Sequence, residues 1–368
     1  METGIKKLPR HCSTLPKHSC VDAIEQCFIT LAKKASPSFV LEGDIRACFD
    51  NLSNKWLGDK TDKIVLSKWL TAGYIEKNAL YTTFDGVPQG GSISSALLVL
   101  ALRGLEETVK SVISRRKDKV NVILYADDFV ITGATKEVLE NKVMPTVRTF
   151  LKERGLELSI EKTKITHIDK GFDFLGFNVR KYKGKLLIKP SKRNVKGFLR
   201  KIQELIKSHK TVKTIDLIHY LNPKIRGWTN YYRHAVSKAT FSYVDHNIFK
   251  AIIQWVNRRH PNKSAKWKYD KYFRNNGIKR WIFSVKVKNK KGQSKVVDLF
   301  KASELPIRRH VKIKAEATPY DLKYTDYFLK RECLKQSVQI LDRKFLMSKL
   351  RLSSTKTTKQ LGHSANGL

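Results

Sequence analysis

The stretch Val122-Ile123-Leu124-Tyr125-Ala126-Asp127-Asp128-Phe129-Val130-Ile131 places two adjacent acids between two apolar runs. Both runs are rich in β-branched and aromatic residues, which favours strands, and the short polar break between them is typical of a hairpin turn. Two carboxylates at the tip of a buried hairpin are unfavourable unless a cation compensates their charge. A pair of divalent metal ions is one such compensation, and it would make the chain a nucleotidyltransferase.

The charge of the whole chain points to a polyanionic partner. Its 368 residues include 73 Lys and Arg against 33 Asp and Glu, a formal net charge of +40. Nucleic acid rewards such an excess through counterion release, and no amphipathic helix of Lys and Trp dominates to favour a membrane surface instead. No apolar run approaches the roughly 20 residues of a membrane span. We therefore predict nucleic-acid binding and no membrane partner.

The cysteines and the first residues bear on the cellular compartment. The five cysteines show no CxxC pairing, and the first seven residues lack the apolar core of a signal peptide. Reduced thiols in an intracellular protein, bacterial or organellar and bound to RNA, are the expectation.

Two further stretches could complete a site around the hairpin. Asp44 ends an apolar run over residues 38–45. A lone Asp after a strand is more often a helix cap, but two hard cations would need a third carboxylate beside Asp127 and Asp128. The glycine-rich turn over residues 85–92 precedes a helical pattern, so its N–H groups could approach a phosphate or a base pair. A plain loop and helix cap explains that turn equally well.

Helical patterns follow the hairpin. Residues 135–154 favour a helix that Pro145 should bend or interrupt. Apolar positions between Val195 and Ile206 recur at helical spacing, which predicts an amphipathic helix with a basic outer face. Two further helices are predicted near residues 214–221 and 241–257.

The second half of the chain interleaves aromatic and basic residues. Residues 226–233 read Arg-Gly-Trp-Thr-Asn-Tyr-Tyr-Arg and are expected between two helices. Residues 258–291 hold 13 Lys or Arg against one acid, Asp270, and the aromatic residues Trp267, Tyr269, Tyr272, Phe273 and Trp281 are among them. Aromatic faces stack on bases and cations bind phosphates, which suits structured or single-stranded nucleic acid. About half of these five aromatic residues are expected in the core.

Five motifs in one order resemble the palm of a reverse transcriptase, and their detail resembles the group II intron-encoded class. The motifs are Asp44 with Phe49-Asp50, Gly86-Val87-Pro88-Gln89-Gly90, Tyr125-Ala126-Asp127-Asp128, Lys162-Thr163-Lys164 and Phe174-Leu175-Gly176-Phe177. Residues 223–232 also match this class, and the resemblance covers residues 13–330.

The resemblance implies an α+β fold. A right-hand polymerase palm, with an antiparallel sheet, packed helices and partial fingers, would precede an all-α thumb or maturase (X) domain that binds intron RNA. We expect fingers and palm in residues 1–185, thumb and maturase domain in 186–295, a basic extension in 296–350 and a disordered tail in 351–368.

The resemblance also implies a chemistry. Asp44, Asp127 and Asp128 would hold two Mg²⁺ ions for nucleotidyl transfer from dNTPs to the 3′-OH of a DNA primer. Phe49 would sterically exclude nucleotides that carry a 2′-OH. The other expected substrate-binding residues are Gly86, Pro88, Gln89, Gly90, Tyr125, Lys162 and Lys164. The expected RNA-binding residues are Arg226, Trp228, Tyr231, Tyr232 and Arg233.

The chain departs from the family pattern in three places. Family members usually carry further N-terminal residues with the first fingers motifs, and Leu15 stands where an arginine that grips the triphosphate is expected. Ser95 replaces a usual proline. Residues 307–312 resemble the segment before an HNH nuclease, but no cysteine pairs follow, so DNA cleavage is not expected.

These departures leave the function open between three readings. The expected function is RNA-directed DNA polymerisation with assistance to splicing. The alternatives are a non-catalytic RNA-binding maturase and an inactive truncated remnant. A second copy or another chain could supply the missing fingers.

Overall fold

The computed structural model describes residues 19–60, 68, 74–76, 79–81, 86–87, 94–114, 116–277, 280–288, 293–314, 317 and 322–330. Leu15, Pro88, Gln89, Gly90 and the expected tail over residues 351–368 lie outside the described residues. No helix of the described ranges is both long and apolar enough to cross a membrane.

Helices and antiparallel strands alternate in the first half. Its elements in chain order are α1 (Cys20–Leu31), β1 (Phe39–Gly43), β2 (Ile45–Arg46), α2 (Asn54–Lys60), β3 (Tyr74–Glu76), β4 (Ala79–Tyr81), α3 (Ser94–Leu102), α4 (Leu105–Ser111), β5 (Asn121–Tyr125), β6 (Asp128–Gly133), α5 (Lys136–Val138), α6 (Met144–Lys152), β7 (Glu157–Leu158), β8 (Lys164–His167), β9 (Phe172–Phe174), β10 (Phe177–Tyr182) and β11 (Lys185–Pro190).

A four-stranded antiparallel sheet in the order β5-β6-β1-β8 forms the centre of this half. Alternate side chains of its strands enter two different cores, because successive strand residues point to opposite faces. Val40 and Val130 face a core that contains α1 and the helices of the second half, whereas Leu41 and Ile131 face a core with α3, α4 and α6. Burial on both faces explains the uninterrupted apolar runs around Asp127 and Asp128.

The expected interruption of the helix at Pro145 takes the form of a π-helical turn. Residues 136–152 form one helical run in which Leu139–Val143 adopts a π-helix between α5 and α6. Pro145 lies in the first turn of α6 and lacks an N–H, so the wider turn before it accommodates the proline without ending the helix.

The second half is mainly helical. Its elements are α7 (Lys192–Ser208), α8 (Thr214–Tyr232), α9 (Lys238–Arg259), α10 (Ala265–Tyr272), β12 (Phe273–Arg274), β13 (Ile282–Lys288), β14 (Ser294–Asp298), short 3₁₀ turns at Ala302–Glu304 and Leu322–Tyr324, and α11 (Thr325–Lys330). The sheet of β12, β13 and β14 is an addition to the all-helical thumb that the sequence predicts.

Helix α8 corrects the expectation that residues 226–233 lie between two helices. Residues 226–232 are its last turns, and the helix continues through Pro223. The buried stripe Leu221, Ile225 and Thr229 runs past the proline, so packing along this face outweighs the missing hydrogen bond.

Residues 308–314 return to the first half and pack on α1. The buried carboxylate of Asp22 accepts hydrogen bonds from His310 and from the N–H of Ile313, each at 2.9 Å. Burial opposes ionisation of Asp22, but these hydrogen bonds and that of Ser19 outweigh it and lower its pKa below the ordinary value.

Candidate active site and nucleic-acid interface

The Asp127-Asp128 hairpin has the tight turn that the sequence predicts. Tyr125 and Asp128 are paired across β5 and β6, which leaves Ala126 and Asp127 as the two turn residues. Ala126 has a φ of +53°, in the left-handed region that a residue with a Cβ seldom adopts. Strain of this kind persists where the surrounding structure holds it, and it is concentrated at functional sites.

The sheet brings Asp44 to the same end as the hairpin tip. Strand β1 pairs antiparallel with β6, with Gly43 opposite Phe129, so the chain leaves β1 at Asp44 beside Asp128. Gly43 is required because a Cβ there would lie 2.1 Å from Cζ of Phe129. The Phe129 ring therefore crosses β1 directly before Asp44.

The electrostatics of the three acids reflect their proximity. Burial, followed by the negative charges of Asp127 and Asp44, raises the pKa of Asp128 to about 6, and Lys162 opposes this shift. Nζ of Lys162 lies 3.0 Å from Oδ2 of Asp44. Within the part of the chain that the structure describes, no three His, Cys, Asp or Glu side chains are grouped closely enough to hold a metal ion.

Lys162 reaches the acids because its loop is tied to Asp44. The N–H of Ser159 donates to the carbonyl oxygen of Asp44 at 2.8 Å, and the N–H of Thr163 donates to that of Ser159 at 2.9 Å. Lys164, by contrast, lies in β8 opposite Glu42. The structure thus brings Lys162 to the predicted site and places Lys164 beside Glu42 instead.

Cys48 is a residue of this site that sequence reasoning did not single out. Its thiol is buried, and burial followed by the charges of Asp127 and Asp44 raises its pKa to about 12. A thiol held in the neutral form is a poor nucleophile, so Cys48 packs beneath the acids without a chemical role. No spacing in the sequence indicates this position.

The glycine-rich turn meets the segment that follows Asp44. The N–H of Val87 donates to the carbonyl oxygen of Phe49 at 2.7 Å. Gly86 has a φ of +76°, and a Cβ there would lie 2.5 Å from the same oxygen. Only glycine permits this approach, so the structure brings the backbone of Gly86 against that of Phe49.

The predicted RNA-binding residues of α8 divide into buried and accessible side chains. Tyr232 is 2% exposed, so its ring has no free face for a base. Its hydroxyl donates to the carbonyl oxygen of Gly176 at 3.2 Å, and Tyr231 donates to that of Leu175 at 2.8 Å. Arg233 is half-buried. Tyr232 therefore joins the two halves rather than presenting a surface.

A basic groove lies between α7 and α8, on the exposed side of this joint. Its cavity of about 820 Å³ is lined by Arg193, Lys196, Arg200 and Lys201 together with aromatic residues. Trp228 stacks on Phe198 in its wall, with ring centroids 4.6 Å apart and an interplanar angle of 11°. Cations and aromatic faces in one groove suit a nucleic-acid strand.

Arg226 stands apart from the groove. Its guanidinium lies over the ring of Phe300 at 4.9 Å, and the residue is exposed.

Two family models match the chain in succession. The model "Reverse transcriptase (RNA-dependent DNA polymerase)" matches residues 4–179, and "Group II intron, maturase-specific domain" matches residues 195–273. The first contains the acidic site, and the second contains most of the basic groove.

Curated proteins also match parts of the chain at low sequence identity. The group II intron-encoded protein LtrA of Lactococcus lactis subsp. cremoris is 23% identical over 347 residues, covering 68% of this chain and 57% of its own. Protein YkfC of Escherichia coli K12 is 28% identical over 177 residues, covering 38% of this chain and 46% of its own. The chain thus spans about half the length of these relatives.

Solved structures similar to this one include two telomerases. Telomerase from Candida albicans with a fragment of telomeric RNA has a TM-score of 0.38 at 14% identity, covering 70% of this chain and 52% of its own. Apo telomerase from Candida tropicalis has a TM-score of 0.40 at 15% identity, covering 70% and 49%.

The two domains occur in the order that the sequence motifs predict. The chain joins a reverse-transcriptase domain to a group II intron maturase-specific domain, and it is homologous to the group II intron-encoded protein LtrA.

Proposed function

We propose that this chain is an RNA-directed DNA polymerase of the group II intron type that also binds intron RNA and assists its splicing. The observation that carries the proposal is the sheet register that sets Asp44 beside the Asp127-Asp128 hairpin, where burial, followed by the charges of Asp127 and Asp44, raises the pKa of Asp128. A carboxylate whose pKa is raised by burial and by like charges beside it marks a candidate functional site. Template RNA, a DNA primer or target, and dNTPs are the proposed substrates.

The donor atoms of this site fit Mg²⁺. Carboxylate oxygens are the ligands that hard divalent cations prefer, and Asp44, Asp127 and Asp128 would hold two ions. Such ions, when bound, lower the pKa of a primer hydroxyl and stabilise charge at the attacked phosphate. Lys162 contributes a positive charge at Asp44 and limits the mutual repulsion of the acids.

The residues around Phe49 would form the nucleotide pocket. Phe49 and Tyr125 are half-buried, and the Gly86 backbone lies against the Phe49 carbonyl, so the pocket has a rigid floor. A Phe49 ring beside the sugar of the incoming nucleotide would sterically exclude a 2′-OH. Pro88, Gln89 and Gly90, which follow Val87 in the sequence, complete the proposed substrate-binding set with Lys162 and Lys164.

The groove between α7 and α8 would bind the RNA. Its four cations would neutralise phosphates, and Trp228 and Tyr231 of its lining are proposed RNA contacts. Arg226 and Arg233 are proposed as further RNA contacts outside that lining. Tyr232 holds α8 against Gly176, so we propose that it contributes to RNA binding by positioning α8 rather than by touching RNA. We assign fingers and palm to residues 1–185, the thumb and maturase domain to 186–295 and a basic extension to 296–350.

A second candidate function is RNA binding in splicing without polymerisation. The observation that favours it is the Lys162–Asp44 ion pair, because it engages one of the three acids with a cation of the chain itself. The basic groove does not include either residue of that ion pair, so RNA binding there would not require the acidic site.

Primer extension on an RNA template with Mg²⁺ separates the two functions. The parent chain should extend a DNA primer, and Asp127→Ala should abolish extension while leaving RNA binding intact. Asp169→Ala removes an exposed acid of the β8–β9 turn and serves as the matched control. Absence of extension by the parent chain, with RNA binding retained, would favour the splicing function; extension by Asp127→Ala would refute the site.

A further inference from the structure

The sheet of β12, β13 and β14 carries a surface that the acidic site and the basic groove do not include. Trp281 precedes β13 and lies beyond residue 273, where the matched maturase domain ends. It is 46% exposed, and it is the only tryptophan among the described residues that exposes more than a third of its surface. An exposed indole loses the stabilisation that burial would give, so its position calls for an explanation.

The backbone of Trp281 is held in an unfavourable conformation. Its φ is +60°, in the left-handed region, which is a clear outlier for a bulky side chain. The side-chain oxygen of Asn275 accepts the N–H of Trp281 at 3.3 Å and also accepts the hydroxyl of Tyr269. One amide therefore fixes both aromatic residues. Strain that specific contacts maintain is a mark of functional positions.

Among the described residues, no ring contact of the indole is parallel to it. Tyr269, Phe249 and Phe273 lie with ring centroids 4.4, 6.0 and 5.7 Å from that of Trp281, at interplanar angles of 61°, 87° and 58°. These neighbours make edge-to-face or tilted contacts with the indole rather than stacked ones. Trp228 differs, because Phe198 lies parallel to it at 11°.

The charge around Trp281 favours a polyanion. Residues 258–291 contain 13 Lys or Arg and a single acid, Asp270. Arg280 directly precedes Trp281 and is exposed. On α10, Lys268 donates to the side chain of Asn257, and the ammonium group of Lys271 lies over the ring of Trp267. A flat apolar face among cations matches a nucleotide, which combines a flat base with a negative phosphate.

We propose that Trp281 is a stacking platform for an unpaired nucleobase of a single-stranded polynucleotide. The indole face receives the base, Tyr269 and Asn275 hold the platform, and Arg280 attracts the phosphates. A base paired within a duplex does not offer its face, so this site distinguishes single strands from duplexes. The proposal rests on the nucleic-acid binding proposed above and adds to it a second contact, on the sheet rather than in the groove.

Substitutions at Trp281 separate stacking from packing. Trp281→Phe keeps an aromatic face, whereas Trp281→Leu keeps apolar volume against Phe249 and Phe273 but has no π face. Trp281→Gly removes the ring and suits a φ of +60°, so it relieves the backbone strain. Tyr243→Ala removes another exposed aromatic side chain, 54% exposed on α9, and is the matched control.

The binding assay uses the full chain with a short oligoadenylate that contains 2-aminopurine, whose fluorescence reports stacking, and with a blunt RNA duplex of the same length. We expect Trp281→Leu and Trp281→Gly to weaken single-strand binding on the order of tenfold and to leave duplex binding unchanged. Trp281→Phe should retain most of the affinity, and Tyr243→Ala all of it. The 2-aminopurine signal should change with the parent chain and not with Trp281→Leu.

Two results would overturn the proposal. One is parental single-strand affinity in Trp281→Leu; the other is an equal loss for single strand and duplex, which indicates a structural role. The same titration with RNA and with DNA oligomers identifies which kind of single strand the site binds. A loss of affinity in Trp281→Leu for either kind supports the stacking platform. Primer extension on a preformed template–primer duplex should be unaffected by Trp281→Leu, so failure of the polymerase proposal and failure of this one are seen in different assays.

Discussion

The hydroxyl of Tyr232 on α8 donates a hydrogen bond to the carbonyl oxygen of Gly176, at 3.2 Å, and accepts one from the Asn194 side chain, at 3.1 Å. Tyr231 makes the parallel bond to Leu175. The Phe174–Leu175–Gly176–Phe177 motif and the aromatic end of α8 are therefore two sides of one joint between the reverse-transcriptase domain and the helical half. The fold therefore brings together two motifs that are far apart in the sequence.

Gly176 should be far less tolerant of a side chain than Gly184. Both have a φ of +80°, but a Cβ at Gly176 would lie 2.4 Å from Nδ2 of Asn194, whereas one at Gly184 meets nothing within 4 Å. Gly184→Ala should therefore cost about 1–2 kcal/mol of unfolding free energy, the backbone component alone. Gly176→Ala should cost on the order of 1–3 kcal/mol more, from overpacking. Urea titration measures both; equal losses would show that the joint yields to the added methyl group.

Sequence reasoning predicted the Asp127-Asp128 hairpin because its signals are local. The apolar runs around the two acids favour strands, and the register of the observed sheet sets Asp44 beside them. The sequence gives no indication that Cys48 lies close to the acids, because that proximity depends on the surrounding fold.

The helical half was harder to predict, because long-range packing decides its details. Pro223 reads as a helix end, yet the buried stripe of α8 carries the helix past it. Tyr232 looks like an exposed RNA contact in the sequence and is in fact buried. The strands around Trp281 lie within a stretch of Lys and Arg that has little strand character, and they form by pairing with one another.

His234 should make the folded state sensitive to acid. Burial, followed by the charge of His310, lowers its pKa to about 4, and its Nε2 has no hydrogen-bond partner among the described residues. Since the unfolded chain takes up this proton near pH 6.5 and the folded chain only near 4, stability falls as the pH drops through that window. At pH 5 the loss relative to pH 7.5 should be at most about 2 kcal/mol, reduced by residual solvent exposure.

His234→Leu tests this contribution, because leucine cannot take up a proton. The difference in Tm between pH 7.5 and pH 5 should be smaller for His234→Leu than for the parent chain. Asp22 faces His310 and has a lowered pKa, so its own contribution is lost only at more acid pH. An unchanged pH dependence in His234→Leu would assign the acid sensitivity to other groups.

Lys162 should set the Mg²⁺ requirement of the proposed polymerase. Its ammonium group lies 3.0 Å from Asp44 and competes with a metal ion for that carboxylate. Lys162→Ala should lower the Mg²⁺ concentration for half-maximal primer extension by up to about fivefold, the scale of an exposed ion pair. Lys170→Ala removes an exposed lysine of the β8–β9 turn, outside the site; it is the matched control and should leave that concentration unchanged. Equal shifts in both variants would indicate a general effect of net charge.

The basic groove should bind RNA mainly through its cations. Arg193 and Arg200 line the groove from α7, and each phosphate contact releases counterions when it forms. Arg193→Ala and Arg200→Ala should each weaken RNA binding and reduce the slope of log Kd against log salt by about 0.7–0.9. Lys152→Ala removes an exposed cation at the end of α6, outside the groove, and should change neither quantity. A fluorescence anisotropy titration at several salt concentrations gives the slopes. Should Lys152→Ala lower the slope as much as Arg193→Ala, RNA would be held by the overall positive charge of the chain rather than by this groove.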